Sequence, residues 1–194
     1  MRTLPSVFPA QSAMRKIITE NDDGYNLAIN SIEVNVTNPL ETQVGRLLQE
    51  RGLKLVLAES CTGGLLGSRI TDVPGSSEYF LGSVVAYAYE AKATLLNVSW
   101  DTLNTKGAVS RETVLEMARG IRNVMKADIA ISISGIAGPG GGTPEKPVGT
   151  TWIGFVVQGQ ERAEVFHFSG GREANKVFAV EAALQMLLDY LQHL

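Results

Sequence analysis

Apolar and polar positions follow one pattern before residue 38 and another after it. In the first part the one regular signal is residues 31–37, where Ile32, Val34 and Val36 alternate with Glu33, Asn35 and Thr37. That period of two is the pattern of a half-buried strand. The preceding MRTLPSVFPAQSAMRK carries two prolines and no helical periodicity, which predicts an extended or mobile arm. Residues 1–38 therefore read as an N-terminal extension, a mobile arm or an added edge strand, and Met14 is an alternative start. From Asn38 onward helical and strand patterns alternate. Asn38 and Pro39 open a helix through Leu40, Val44, Leu47 and Leu48 to Gly52. Strands are expected at 53–58 and 82–87, each followed by a helix, at 62 to about 71 and at 90–96. A helical turn at 101–105 and a longer helix from Ser110 come next, with Val114, Met117, Ala118 and Ile121 on one face. The β-rich run 128–135 ends in a glycine loop. Two more strands follow, joined by a hairpin at Gly159-Gln160, and a last helix spans 172–191. This order predicts an α/β fold over residues 39–194, a three-layer α/β/α sandwich with a mixed β-sheet.

Composition narrows the classes of function. The 194-residue chain is 44% hydrophobic and 19% charged, the balance of a soluble globular domain. Its net charge of −3 speaks against a general nucleic-acid binder but leaves room for a local basic pocket for one phosphate. Cys61 is the lone cysteine, so no intrachain disulfide framework exists. The two histidines, His167 and His193, lack the spacing of a transition-metal cluster, and no metal or other cofactor is expected. No apolar run approaches the roughly 18 residues of a membrane span, and no signal-peptide core opens the chain. The expectation is a cytoplasmic protein with no membrane partner.

The stretch LKLVLAESCTGG (53–64) carries an apolar strand into Glu59, Ser60, Cys61 and Thr62 before two glycines break it. Open α/β sheets bind ligands where strands end and helices begin. Ser60 can present its hydroxyl to such a crevice, with N–H groups of the helix start near enough to hold an oxyanion. Ser60 or Thr62 can equally be a helix cap, and the turn alone leaves both readings open. A serine nucleophile needs a base, and neither histidine is well placed. A desolvated lysine is the alternative. Lys92 lies in the first turns of a helix just after the strand that ends near Tyr87, where burial and the positive helix end would lower its pKa. Tyr87 could relay a proton; a snorkelling surface lysine and a core tyrosine are the competing reading. The loop SGIAGPGGG (134–142) can turn backbone N–H groups on an anion, although it is neither a Walker A loop nor a dinucleotide fingerprint. Arg172 opens the last helix, where the macrodipole disfavours a cation. An anion nearby would explain it, and so would simple solvation.

Taken together, AESCTGG (58–64), PGSSEYF (74–80), VVAYAYEAKATLL (84–96), GAVSRETVLEMA (107–118), SISGIAGPGGG (132–142), EKPVGTTWIGF (145–155) and FSGGR (168–172) resemble one family in its own order. That family is the CinA C-terminal domain, the PncC-type nicotinamide mononucleotide deamidases. The resemblance runs from near Pro39 to the end and leaves residues 1–38 uncovered. It implies a three-layer α/β sandwich, usually a homo-oligomer, that hydrolyses the carboxamide of nicotinamide mononucleotide to nicotinic acid mononucleotide and ammonia in pyridine-nucleotide salvage. The catalytic residues it implies are Ser60, Tyr87 and Lys92, with Lys92 as base. Backbone around Thr62, Gly63 and Gly64 would hold the oxyanion, and Gly135, Ala137, Gly138 and Arg172 the nucleotide. The pattern departs from many relatives at Tyr89, where they carry Asn. The alternative is a catalytically inactive, nucleotide-binding paralogue. Cys61 is expected to be a packing residue facing away from the pocket.

Overall fold

The computed structural model describes residues 39–194; the alternating segment 31–37, the arm before it and Asn38 lie outside the described residues. Helix α1 (Leu40–Arg51) follows Pro39 and ends at Gly52, whose N–H closes the last turn onto Gln49 and Leu48. Strand β1 (Leu55–Glu59) is buried throughout. Helix α2 (Leu65–Thr71) and a 3-10 turn (Ser76–Glu78) lead to β2 (Phe80–Val85). Helices α3 (Tyr89–Leu96), α4 (Trp100–Thr105) and α5 (Arg111–Met125) precede β3 (Ile129–Gly135). The antiparallel pair β4 (Thr150–Val157) and β5 (Gln160–His167) then delivers the chain to α6 (Arg172–Gln192). The strand order is β2-β1-β3-β4-β5. The β2–β1–β3 half is parallel and the β3–β4–β5 half antiparallel, so the sheet is mixed, as the sequence predicts.

Two apolar layers sandwich this sheet. Leu55, Leu57, Ile129, Ile131 and Ile133 pack with α1 and α6 on one face. Val56, Ala58 and Ala130 pack with α5 and the end of α3 on the other. Alternation along β1 and β3 thus sends successive side chains into opposite layers. On the second face α5 lies so close to α3 that any side chain at Gly120 would overlap the Leu96 carbonyl. On the first, Arg69 of α2 grips Glu41 of α1 with two nitrogens, at 3.1 and 2.6 Å, and reaches Glu181 of α6 at 2.7 Å. Burial pushes the Glu41 carboxyl up, but the Arg69 hydrogen bond, a backbone hydrogen bond and the Arg69 charge together hold it below its ordinary value. A depressed carboxyl contributes stability above its unfolded pKa that is lost as pH falls through the folded one. No helix among the described residues is long and apolar enough to cross a membrane.

Strand β1 begins at Leu55 rather than 53 and β2 at Phe80 rather than 82, and three further boundaries move. Helix α2 starts at Leu65 rather than 62, because residues 60–64 form a turn in which Gly63 and Gly64 take φ of 65° and 95°, a region that favours glycine. Strand β2 ends at Val85, which leaves Tyr87 on the connection to α3. The hairpin loop is Gln158-Gly159, since Val157 pairs with Gln160, so Gln160 belongs to the strand. Beneath α1, the Tyr79 hydroxyl is buried against Gly45 with no hydrogen-bond partner among the described residues. An unpaired buried hydroxyl costs free energy. Tyr79→Phe is therefore expected to stabilise the domain by about 1 kcal/mol, raising the midpoint of thermal unfolding; a lower midpoint would show that this hydroxyl is satisfied.

Candidate functional site

The site begins with a carboxylate at the end of β1. Glu59 has no solvent exposure, and such a group survives only if its acceptors are filled. One oxygen accepts from the Thr62 hydroxyl at 2.7 Å and from the N–H groups of Gly64 and Leu66 at 3.0 and 3.2 Å. The other accepts from the Gly67 N–H at 2.8 Å and the Ser83 hydroxyl at 2.9 Å. Helix α2 has no side-chain cap at Gly64; Glu59 takes that role and places negative charge at the positive helix end. It also ties the turn to β2 through Ser83.

Ser60 follows in the chain and extends the β1–β3 ladder, its N–H donating to Ile133 at 3.0 Å. Its hydroxyl lies 2.9 Å from Lys92 Nζ. Lys92 of α3 has no solvent exposure, and Nζ also donates to the main-chain oxygens of Ala86 at 2.7 Å and Tyr87 at 3.0 Å. No carboxylate pairs with it among the described residues. Burial lowers its pKa to about 8, against a weaker opposing pull from Cys61. A neutral amine has two N–H groups and one lone pair. The two carbonyls take the N–H groups, and the lone pair is left for Ser60.

The remaining expected residues fall into three groups. Tyr87 meets the lysine through its carbonyl, not its ring. Its hydroxyl is exposed and accepts from Arg172 Nη2 at 3.3 Å, and no hydrogen bond joins it to Ser60 or Lys92 among the described residues. Arg172 Nη1 donates to the Gly138 carbonyl at 2.8 Å. One turn further along α6, buried Asn175 donates to the Ala137 carbonyl at 3.1 Å and accepts from Gly170 at 3.0 Å. The glycine loop is thus held by its carbonyls on the first turns of α6, beside Tyr87. Gly135 lies within β3, and a side chain there would press on Thr151 and the Thr150 carbonyl. Under Ser60, the Thr62 hydroxyl and the Gly64 N–H are committed to Glu59, while the Gly63 N–H donates to the Ser60 carbonyl at 3.1 Å. The N–H groups of Cys61 and Thr62 donate to no main-chain oxygen among the described residues. Cys61 packs in the α1/α6 layer, and burial pushes its thiol up to about 11. Tyr89 accepts from the Ala108 N–H at 3.2 Å, so its hydroxyl ties α3 to the loop before α5.

Two residues of the site carried no role in the sequence reading. Glu59 was legible in principle, as a carboxylate closing an apolar strand that must find partners. Ser134 lies inside the glycine-loop motif; its hydroxyl is buried with no partner among the described residues. It stands beside Ser60, one position beyond the Glu59–Ile133 pair.

The CinA C-terminal domain profile matches residues 37–191. This chain belongs to the CinA C-terminal domain family. A CinA-like protein from Chlorobaculum tepidum is 51% identical over 160 residues, 80% of this chain and 38% of that protein. Another, from Desulforapulum autotrophicum, is 52% identical over 145 residues, 74% of this chain and 34% of that protein. The chain spans little more than a third of the length of these curated relatives. A crystal structure of a CinA superfamily protein from Klebsiella pneumoniae superposes with a TM-score of 0.77 at 40% identity, covering 80% of this chain and 97% of that one.

Two measurements test the buried charges of this CinA-family domain. Glu59→Gln replaces an acceptor by a donor that faces N–H and O–H groups, and should cost about 2 kcal/mol or more in chemical denaturation; a loss below about 0.5 kcal/mol would remove Glu59 from its organising position. For Lys92, the folded pKa near 8 lies below the unfolded value of about 10.4. Between these values the unfolded chain holds the extra proton, so stability rises with pH. Measured against Lys92→Met, wild type should gain up to about 3 kcal/mol from pH 7.5 to 10.5; a flat difference would mean an ordinary lysine.

Proposed function

We propose that this domain hydrolyses the carboxamide of nicotinamide mononucleotide, releasing nicotinic acid mononucleotide and ammonia. The observation that carries the reading is the 2.9 Å contact between Ser60 Oγ and a fully buried Lys92 without a carboxylate partner. Neutral Lys92 takes the Ser60 proton as Oγ bonds to the amide carbon. The carbonyl oxygen becomes an oxyanion, for which the Ser134 hydroxyl, without a partner among the described residues, is a donor and the N–H groups of Cys61 and Thr62, engaged by no main-chain oxygen there, stand beside Ser60. The C–N bond then breaks, and Lys92 returns its proton to the departing nitrogen as ammonia. A water, deprotonated by Lys92, attacks the acyl-enzyme and frees Ser60. Tyr87 serves this cycle twice, by orienting the amine through its carbonyl and by positioning Arg172 through its hydroxyl. Arg172 keeps further N–H donors for the nucleotide's phosphate, with Gly138 and Ala137 behind it.

Ammonia release from nicotinamide mononucleotide by the purified protein separates this reading from that of an inactive nucleotide-binding paralogue. Ser60→Ala should lower kcat about a thousandfold or more, and a near-normal rate would remove Ser60 as nucleophile. The wild-type kcat/KM should rise with pH through about 8 as Lys92 loses its proton; a profile flat across that range would remove Lys92 as the base.

A further inference from the structure

Lys176 has no place in the chemistry above, yet it stands over the nucleophile's turn. A methyl group at Gly63 would come within 3.8 Å of its Nζ. The side chain is half-buried and forms no ion pair or hydrogen bond among the described residues. The carboxylate nearest in the chain to that turn, Glu59, has both oxygens filled by its own five donors. Lys176 is one helical turn from Arg172 on α6, a spacing that puts both side chains on one face. Their reaches diverge: Arg172 goes to Gly138 and Tyr87, and Lys176 to Gly63. Two cations therefore extend from the first turns of a 21-residue helix, where the macrodipole opposes positive charge, one to Gly63 and the other to Gly138 and Tyr87. The cap residue Gly171 contributes no side chain to the helix's free N–H groups.

We propose that Lys176 is the second cation of a phosphate-monoester subsite and a determinant of specificity for phosphorylated over unphosphorylated amides. This rests on the reading that Arg172 faces the substrate's phosphate. A dianion with three acceptor oxygens can meet two cations approaching from different sides, as a single carboxylate cannot. The Lys176 ammonium thus ends beside Gly63, two residues past Cys61 in the Ser60 turn.

The test compares Lys176→Met and Lys176→Arg with wild type. One readout is the ratio of kcat/KM for nicotinamide mononucleotide over nicotinamide riboside, the same amide without phosphate. The ratio should fall about tenfold or more in Lys176→Met and be largely restored in Lys176→Arg; an unchanged ratio, or equal losses on both substrates, overturns the proposal. The second readout needs no activity: inorganic phosphate should raise the thermal midpoint of wild type, and less that of Lys176→Met. Equal shifts in both proteins overturn the subsite even if the domain hydrolyses neither amide. A phosphate shift that depends on Lys176 with no change in the ratio would make it a site for free phosphate and overturn its role toward substrate. If no amide is hydrolysed while that shift persists, the reaction is wrong and the phosphate subsite stands.

Discussion

One buried carboxylate organises this domain's candidate site. Glu59 sits where an apolar strand stops and gathers five donors from Thr62, Gly64, Leu66, Gly67 and Ser83. Three of those are N–H groups at the start of α2, which would otherwise lie buried and unpaired. The charge is thus stabilised by the helix it begins, and the helix by the charge. The turn at 60–64, the start of α2 and the anchor to β2 form one unit, so Ser60 cannot shift without breaking several of these bonds.

The same strand end sets a contrasting environment on its other face. Lys92 is as buried as Glu59 but is surrounded by two main-chain carbonyls and a hydroxyl. Carbonyl dipoles solvate an ammonium less well than water does, and the lowered pKa is the result. Nothing about folding favours this arrangement, because an apolar side chain of similar length would avoid the desolvation. Burial without a counter-charge is the usual mark of a group retained for chemistry. The two ionisable groups on either side of Ser60 therefore do opposite work, one holding the backbone still and the other keeping a proton easily moved.

Much of this was legible in the chain. Alternating β and α periodicities gave the sandwich and the mixed sheet, while the near-continuous apolar runs of β1 and β3 left it to the structure to show which residue enters which layer. Boundaries moved where backbone geometry outranked side-chain pattern: the two left-handed glycines delay α2, and the Val157–Gln160 pair sets the hairpin. Ser60 and Lys92 could be named from motif order, but their contact joins residues 32 apart, and no local pattern shows such a contact. Tyr87 shows the limit most clearly. A sequence fixes that a tyrosine stands there, while only the path of the chain decides that its carbonyl, rather than its ring, meets the lysine. Residues such as Ser134 and Lys176 escaped notice because a serine in a strand and a lysine on a helix are unremarkable until their neighbours are known.

The alternation of β1 continues just past its end at Glu59, through Ser60 and Cys61. Ser60 and Cys61 are adjacent, and the chain turns the hydroxyl toward Lys92 and the sulfur into the α1/α6 layer. A slip of one residue in the pairing of β1 with β3 would exchange them. The protein would then present a thiol to the amine, and with it a nucleophile open to oxidation. The register of a single strand thereby decides whether a hydroxyl or a thiol faces the buried amine. It also keeps the chain's one thiol buried in the core, a residue away from the hydroxyl that meets Lys92.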